Sequence, residues 1–259
     1  MNRRMPVLFV GHGSPLNAIA NNRYTQSLNK LGSSLPRPDA ILVISAHWRS
    51  NGTWVTAMER PKTIHDFFGF PEALFKIQYP APGAPMLSKT LVESVEITKV
   101  QEDRAQWGLD HGTWSVLRHM YPDAEIPVLQ MSMDVNASPD VRMQIGSELA
   151  KLRTQGVLIL GSGNVVHNLR KIEWGPEAKP LDWASEFNEW VKNSLKVRDL
   201  DALKTGWQQL ASGRLSLPTA EHFDPLLYIL GASGNKDELK VEFDEIQNAS
   251  ISMLTVSFS

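Results

Sequence analysis

Hydrophobic residues along this chain follow two rhythms. Short runs rich in β-branched residues, bounded by Gly, Pro, Ser or Asn, predict strands at Pro6–Val10, Ala40–Ser45, Trp54–Met58, Pro127–Met131, Val157–Leu160 and Ser252–Phe258. Between them, apolar positions recur at helical spacing in Thr25–Gly32, Ala84–Ser94, Thr113–Met120, Pro139–Thr154, Asp182–Leu195 and Glu221–Gly231, several opened by Ser, Thr, Asp or Pro. Strand and helix therefore alternate, and the strands read as nearly unbroken apolar runs, as strands covered on both faces do. The pattern predicts an α/β fold with a mostly parallel central sheet flanked by helices on both faces. At 259 residues it is expected to form a single domain over 1–259. Trp183, Phe187 and Trp190, at helical spacing, are expected in the core. The Pro- and Gly-rich segment Thr63–Pro85 reads as a long ordered loop whose Phe67, Phe68, Phe70, Phe75 and Tyr79 favour packing over a pocket.

Composition narrows the chemistry. Lys and Arg number 26 and Asp and Glu 28, mixed along the chain with no basic stripe, which argues against nucleic acid as a partner. No apolar run approaches the roughly 20 residues of a membrane span. Arg3 and Arg4 precede Val7–Val10, but that run is too short for a signal peptide, so the expected location is cytoplasmic. The chain has no cysteine, so a disulfide, a thiolate nucleophile and an iron–sulfur cluster are excluded. Any metal must sit on imidazole and carboxylate.

Seven histidines supply the candidates. Val7–Val10 runs into Gly11-His12-Gly13-Ser14-Pro15, Ile41–Ile44 into Ser45-Ala46-His47-Trp48, and Val157–Leu160 into Gly161-Ser162-Gly163-Asn164-Val165-Val166-His167. His222, in Glu221-His222-Phe223-Asp224-Pro225, starts a predicted helix. The carboxyl ends of parallel strands converge on one crevice, so imidazoles there form a metal site more readily than so many independent structural contacts. His111, in Asp110-His111-Gly112-Thr113-Trp114, also opens a helix, whose dipole disfavours charge on the ring. His119 reads as a helix-end surface residue. His65, in the aromatic loop, is open between lining a substrate pocket and solvating a loop. The glycine-rich turns at Gly11 and Gly161 do not complete a dinucleotide fingerprint, no P-loop occurs, and Ser14 and Ser162 lack a nucleophile elbow.

Taken in order and spacing, Gly11-His12-Gly13-Ser14-Pro15, Ser45-Ala46-His47-Trp48, the Thr63–Pro71 loop, Asp110-His111-Gly112, Ser162 to Asn168 and Glu221-His222 resemble the LigB-type class III extradiol ring-cleaving dioxygenases, more narrowly the DOPA extradiol dioxygenases, from Met5 to Phe258. The resemblance implies one divalent metal ion per chain, Fe(II) for ring cleavage with Zn(II) as a possible bound ion, and a catechol and O₂ as substrates. It implies His12, His47 and His222 as metal ligands. Glu221 is the fallback for the third ligand, because better-known enzymes of the class use a carboxylate there. His167 is implied as catalytic base or fourth ligand, and His111 as the residue that stabilises activated oxygen. Asn164 and His65 are expected near substrate, with Asn164 and Asp110 as groups orienting the rings. A zinc-dependent hydrolase, a metal-inserting chelatase and a non-catalytic metal-binding protein are the competing readings; no H-E-x-x-H run supports the first.

Overall fold

The computed structural model describes residues 4–175 and 178–259, so Arg3 of the Arg3–Arg4 pair lies outside the described residues. The first half runs β1 (Val7–Gly11), α1 (Arg23–Ser34), β2 (Ala40–Ser50), β3 (Thr53–Thr56), α2 (Glu72–Phe75), α3 (Pro85–Ser94), β4 (Val100–Asp103) and α4 (His111–Met120). The second half runs β5 (Val128–Asp134), α5 (Pro139–Leu149), β6 (Val157–Gly163), α6 (Asp182–Val197), α7 (Leu200–Lys204), α8 (Ala211–Ser216) and α9 (Asp224–Ala232). It closes with β7 (Leu239–Phe243), β8 (Ile246–Gln247), β9 (Ile251–Ser252) and β10 (Thr255–Phe258).

Eight strands form one sheet in the order β4-β3-β5-β2-β6-β1-β10-β7. Its centre, β5-β2-β6-β1, is parallel throughout. The antiparallel joins lie outward, β3 with β5, β1 with β10 and β10 with β7. Two edge strands, β4 and β7, were not expected from the pattern because their sequences are polar. On β7, Lys240 and Glu242 pair at 2.7 Å, and charges of this kind discourage a further strand from adding to an open edge. The Thr63–Pro85 loop also contains the short helix α2.

Period-two alternation sorts the central strands between two cores. Val7, Phe9, Leu42, Ile44, Val157 and Ile159 face α5, α6 and α9, where Ile145, Leu149, Phe187, Val191 and Leu226 complete one buried layer. Leu8, Val10, Ile41, Val43, Leu158 and Leu160 face α1 and α4, meeting Tyr24, Leu28, Trp114 and Leu117. Each such buried side chain contributes about 1.5–3 kcal/mol, so a one-residue slip would turn both layers over. Phe187 is core as expected, with Trp183 and Trp190 packed partly buried against it.

That fixed register positions the site. Val10 pairs with Ser162 and Ser45 pairs with Ser162, so the three residues form one row across β1, β6 and β2. His12 and His47 each stand two residues beyond that row. Between Ile44, opposite Met131, and Arg49, opposite Met133, β2 departs from regular pairing with β5, and His47 lies within that bulge. At the opposite end of the sheet, Arg153 is wholly buried. Its Nε donates to the Met5 carbonyl at 2.7 Å, and its Nη1 donates to the Ala232 carbonyl at 3.1 Å and to Asp237 at 2.6 Å. Replacing Arg153 with Ala leaves Asp237 without this buried partner and is expected to lower the unfolding free energy by about 3–5 kcal/mol in a urea titration; a loss below about 1 kcal/mol would show that the clamp carries no weight.

Candidate metal centre

The imidazoles are set by their outer partners. His12 is 1% exposed and its Nδ1 lies 2.9 Å from Ser162 Oγ. The Ser162 hydroxyl donates its single proton to the Gly112 carbonyl at 2.6 Å, so toward His12 it can only accept. His12 therefore carries its proton on Nδ1. His47 Nδ1 lies 3.2 Å from Oδ2 of Asp66, whose side chain is 17% exposed. Burial pushes the Asp66 carboxyl up, but hydrogen bonding to His111 and the charges of His111 and His47 outweigh it and bring it down to about 2. An ionised carboxylate only accepts, so His47 also carries its proton on Nδ1, an assignment made from the partners.

Both Nε2 lone pairs then face each other, 3.1 Å apart. Burial is the main cause that holds both rings well below the ordinary histidine value, with the neighbouring histidine His47 adding to it for His12 and His111 for His47. Two unprotonated nitrogens at that separation repel unless a cation lies between them. Two imidazole nitrogens bound at about 2.0–2.1 Å to one ion stand roughly 3.0–3.4 Å apart, so this pair fits a divalent metal. A ring nitrogen of His222 completes the group, the three donor atoms lying within 4.8 Å of one another.

His222 Nδ1 lies 3.3 Å from Glu221 Oε1, which also accepts from Thr219 Oγ1 at 2.9 Å. Burial first, and then His167, keep the His222 ring well below its ordinary value. The His167 ring stacks on that of His222 with centroids 3.5 Å apart and planes 10° from parallel. Two other triads of donors exist among the described residues, His47–Asp66–His111 and His167–Glu221–His222. In both, the carboxylate already faces imidazole nitrogens at 3.0–3.3 Å, so neither needs an ion to relieve like charges or opposed lone pairs.

His111 opens α4. Its backbone N–H donates to Asp66 Oδ1 at 2.9 Å, its Nδ1 lies 3.0 Å from the same oxygen, and its ring centroid is 4.0 Å from that of His47. Asp110 caps the helix, accepting from Thr113 N at 3.2 Å and from Ser45 Oγ at 2.8 Å. Burial pushes its carboxyl up to about 6, and the charge of Asp66 adds to this. Ser45 Oγ in turn accepts from the His47 backbone N–H at 3.3 Å, so Asp110 supports the β2 bulge from behind.

The histidines floor a cavity of about 370 Å³. Phe67, Phe68 and Phe70 wall one side, and Leu169, Ile172 and Trp174 the other. The expected packing of the aromatic loop over a pocket thus holds for its first three phenylalanines. Phe75 packs behind Phe67, and Tyr79 is buried with its hydroxyl on the Tyr121 carbonyl at 3.0 Å. His65 and Asn164 do not line the cavity. His65 Nε2 lies 3.0 Å from the Ile77 carbonyl, and Asn164 ties the end of β6 to the His222 turn, its N–H donating to the His222 carbonyl and its Nδ2 to the Ser252 carbonyl, both at 2.8 Å. His222 itself precedes α9, which begins at Asp224. His119 is half-buried rather than on the surface, because α4 packs on the turn at Pro15–Ala18 and brings its Nε2 to 2.8 Å from the Asn17 carbonyl.

Asp66, Ser162 and the Leu169–Trp174 wall escaped the sequence reading as parts of the site. A carboxylate one residue after His65 and a serine near the end of an apolar strand had no spacing that marked them. The apolar residues Leu169, Ile172 and Trp174 in an otherwise polar segment were the available signal for the wall.

A cluster of imidazoles, with His12, His47, His167 and His222 held below the ordinary histidine value by burial, opening on an aromatic-walled cavity at the carboxyl ends of parallel strands, defines a metal-dependent enzyme site for a small aromatic molecule. Comparison with known proteins agrees. Residues 10–258 match the family described as the catalytic LigB subunit of aromatic ring-opening dioxygenase. The chain is 48% identical over 256 residues to the 4,5-DOPA dioxygenase extradiol of Escherichia coli (strain K12), covering 98% of this chain and 94% of that protein. It is 33% identical to the 4,5-DOPA dioxygenase extradiol of Beta vulgaris, over 90% of this chain and 88% of the other. A crystal structure of an uncharacterized protein from Escherichia coli K12 superposes with a TM-score of 0.86 at 44% identity, covering 99% of this chain and 100% of that one. The chain belongs to the LigB family, and it is an extradiol ring-cleaving dioxygenase.

Two outcomes follow from the geometry. Replacing Ser162 with Ala removes the partner that fixes the His12 tautomer and is expected to weaken Zn(II) binding about 10–100-fold in competition with a chelator; unchanged affinity would contradict the tautomer assignment. The metal-free protein should lose stability as pH falls below 6.5 toward about 4, since burial depresses these rings and His167 comes down to about 4, so the unfolded state takes up protons first. Thermal melts across that window test it, and a midpoint that stays flat or rises on acidification would contradict neutral burial.

Proposed function

We propose that His12, His47 and His222 hold one Fe(II), and that the enzyme opens the ring of a catechol such as DOPA beside its paired hydroxyls, inserting both atoms of O₂. The observation that carries this reading is the opposed, unprotonated Nε2 pair of His12 and His47 at 3.1 Å. Bound there, the metal supplies Lewis acidity toward the catechol oxygens and, as Fe(II), a redox route between catechol and dioxygen. Zn(II) fits the same nitrogens, since imidazole accepts both ions. DOPA is the substrate in the names of the relatives, and the aromatic walls of the cavity suit a flat ring.

His167 serves as the base. Burial brings it down to about 4, so at neutral pH its ring is unprotonated and ready to take a catechol hydroxyl proton. The charge of Glu221 favours the protonated ring that results. Glu221 holds the outer nitrogen of His222 rather than acting as a ligand. His111, edge-on to His12 with ring centroids 5.5 Å apart, stands where it can hydrogen-bond negative charge developing on oxygen. His65 acts on substrate only through the aromatic wall it packs against, and Asn164 only through the His222 turn it holds. Residues 1–259 act as one domain in the cytoplasm, where a reducing environment keeps iron ferrous.

Purified without oxygen, loaded with Fe(II) and mixed with DOPA or a simple catechol, the protein is expected to consume O₂ and yield a ring-opened product that absorbs visible light. Silence across a catechol panel with iron verified in the protein would overturn the proposal. His12→Ala and His47→Ala are expected to lose stoichiometric metal. His167→Gln should keep most of it while turnover falls by about 10²–10⁴; loss of the metal in that variant would make His167 a ligand first.

A further inference from the structure

Asp66 touches two imidazoles and a helix end at once. Its Oδ2 lies 3.2 Å from His47 Nδ1, while Oδ1 accepts the His111 N–H at 2.9 Å and lies 3.0 Å from His111 Nδ1. The aromatic wall begins at the next residue. Phe67 stands edge-on to the His111 ring at 5.6 Å and packs on Phe70 at 5.4 Å, and Phe70 reaches across to Trp174 at 6.5 Å. Upstream of Asp66 the segment is well tied, with Ile64 N–H on the Leu109 carbonyl and Trp114 Nε1 on the Ile64 carbonyl, both at 2.8 Å. Among the described residues, no hydrogen bond joins residues 67–71 to the body of the fold, apart from the local turn closed by Leu74 N–H on Pro71, and Phe68 is 91% exposed. Asp66 is the last polar anchor before the wall.

We propose that Asp66 is a positioning residue that makes metal binding and the placement of the Phe67–Phe70 wall interdependent. The inference rests on the metal reading above. Without a cation, the lone pair of His47 faces that of His12 and its ring is oriented only from the Asp66 side. A cation on Nε2 draws electron density from the ring, makes the Nδ1 proton more acidic, and strengthens its contact with the carboxylate. The same carboxylate then holds the start of the wall more firmly. Linkage makes the effect reciprocal, so whatever fixes the wall tightens the metal.

Chymotrypsin, which cuts after aromatic residues not followed by proline, reads the wall directly at Phe67 and Phe68, and Zn(II) serves as the probe ion. In the unsubstituted protein, saturating Zn(II) is expected to slow cleavage there by at least about tenfold, and a chelator to restore it. In Asp66→Asn, the amide can accept through one oxygen only, so Zn(II) affinity should fall about 10–100-fold, and at saturating Zn(II) the cleavage rate should stay near the metal-free value. Glu221→Gln, which disturbs His222 and the charge beside His167 but leaves the Asp66 contacts in place, should weaken Zn(II) but keep the protection once saturated. Protection in Asp66→Asn equal to that of the unsubstituted protein would overturn the proposal. So would an unsubstituted protein that binds Zn(II) with no change in cleavage, a comparison that needs no variant to fold. A protein that binds neither Zn(II) nor Fe(II) would instead sink the metal reading itself.

Discussion

Two imidazole nitrogens with no proton between them, 3.1 Å apart in a buried pocket, are the constraint around which this protein is arranged. Left alone the pair is unfavourable, and a protonated ring would relieve it at the cost of burying a charge. The fold removes the second escape, since burial holds both rings well below the ordinary histidine value. It also blocks rotation, because each outer nitrogen is engaged, by the Ser162 hydroxyl on one side and the Asp66 carboxylate on the other. What remains is a site in which a divalent cation is the natural relief.

The supports come from far apart in the chain and meet because the sheet is parallel at its centre. Ser162 lies one residue before the end of β6, Gly112 lies in the first turn of α4, and Asp66 arrives on a loop that starts after β3. The space at Gly112 is part of the fit, as a Cβ there would come within 2.6 Å of Ser45 Oγ and 3.1 Å of the His47 ring. Helix α4 can approach the strand ends closely enough to share its Gly112 carbonyl with Ser162 only because that position carries no side chain. Asp110, buried and pushed up to about 6, is the polar residue most exposed to this crowding, since it backs the β2 bulge and shares its neighbourhood with a second carboxylate.

Much of this was legible in the sequence. Unbroken apolar runs gave the central strands, and period-two alternation within them set the two cores, so the convergence of His12, His47 and His167 near one end followed from topology alone. His222 was legible as a candidate but its choice over Glu221 was not, because adjacent residues differ only in where the chain turns before α9. The edge strands β4 and β7 were hidden by polar residues that suit an edge. Asp66, Ser162 and Trp174 were hidden for a different reason: their roles arise from contacts across the fold, and neither a lone Asp in a loop nor a lone Ser at a strand end carries a periodicity that marks it. His65 and Asn164 show the converse, being well placed in the sequence beside the motifs yet spent on backbone carbonyls behind the cavity.

Three overlapping sets of donors compete for one metal ion. Anomalous diffraction from crystals of the Zn(II)-loaded protein decides between them most directly. A single peak is expected between His12 Nε2 and His47 Nε2, within bonding reach of His222, with Glu221 and Asp66 on the outer nitrogens. A peak within His47–Asp66–His111 or His167–Glu221–His222, or none at the facing pair, would contradict this placement.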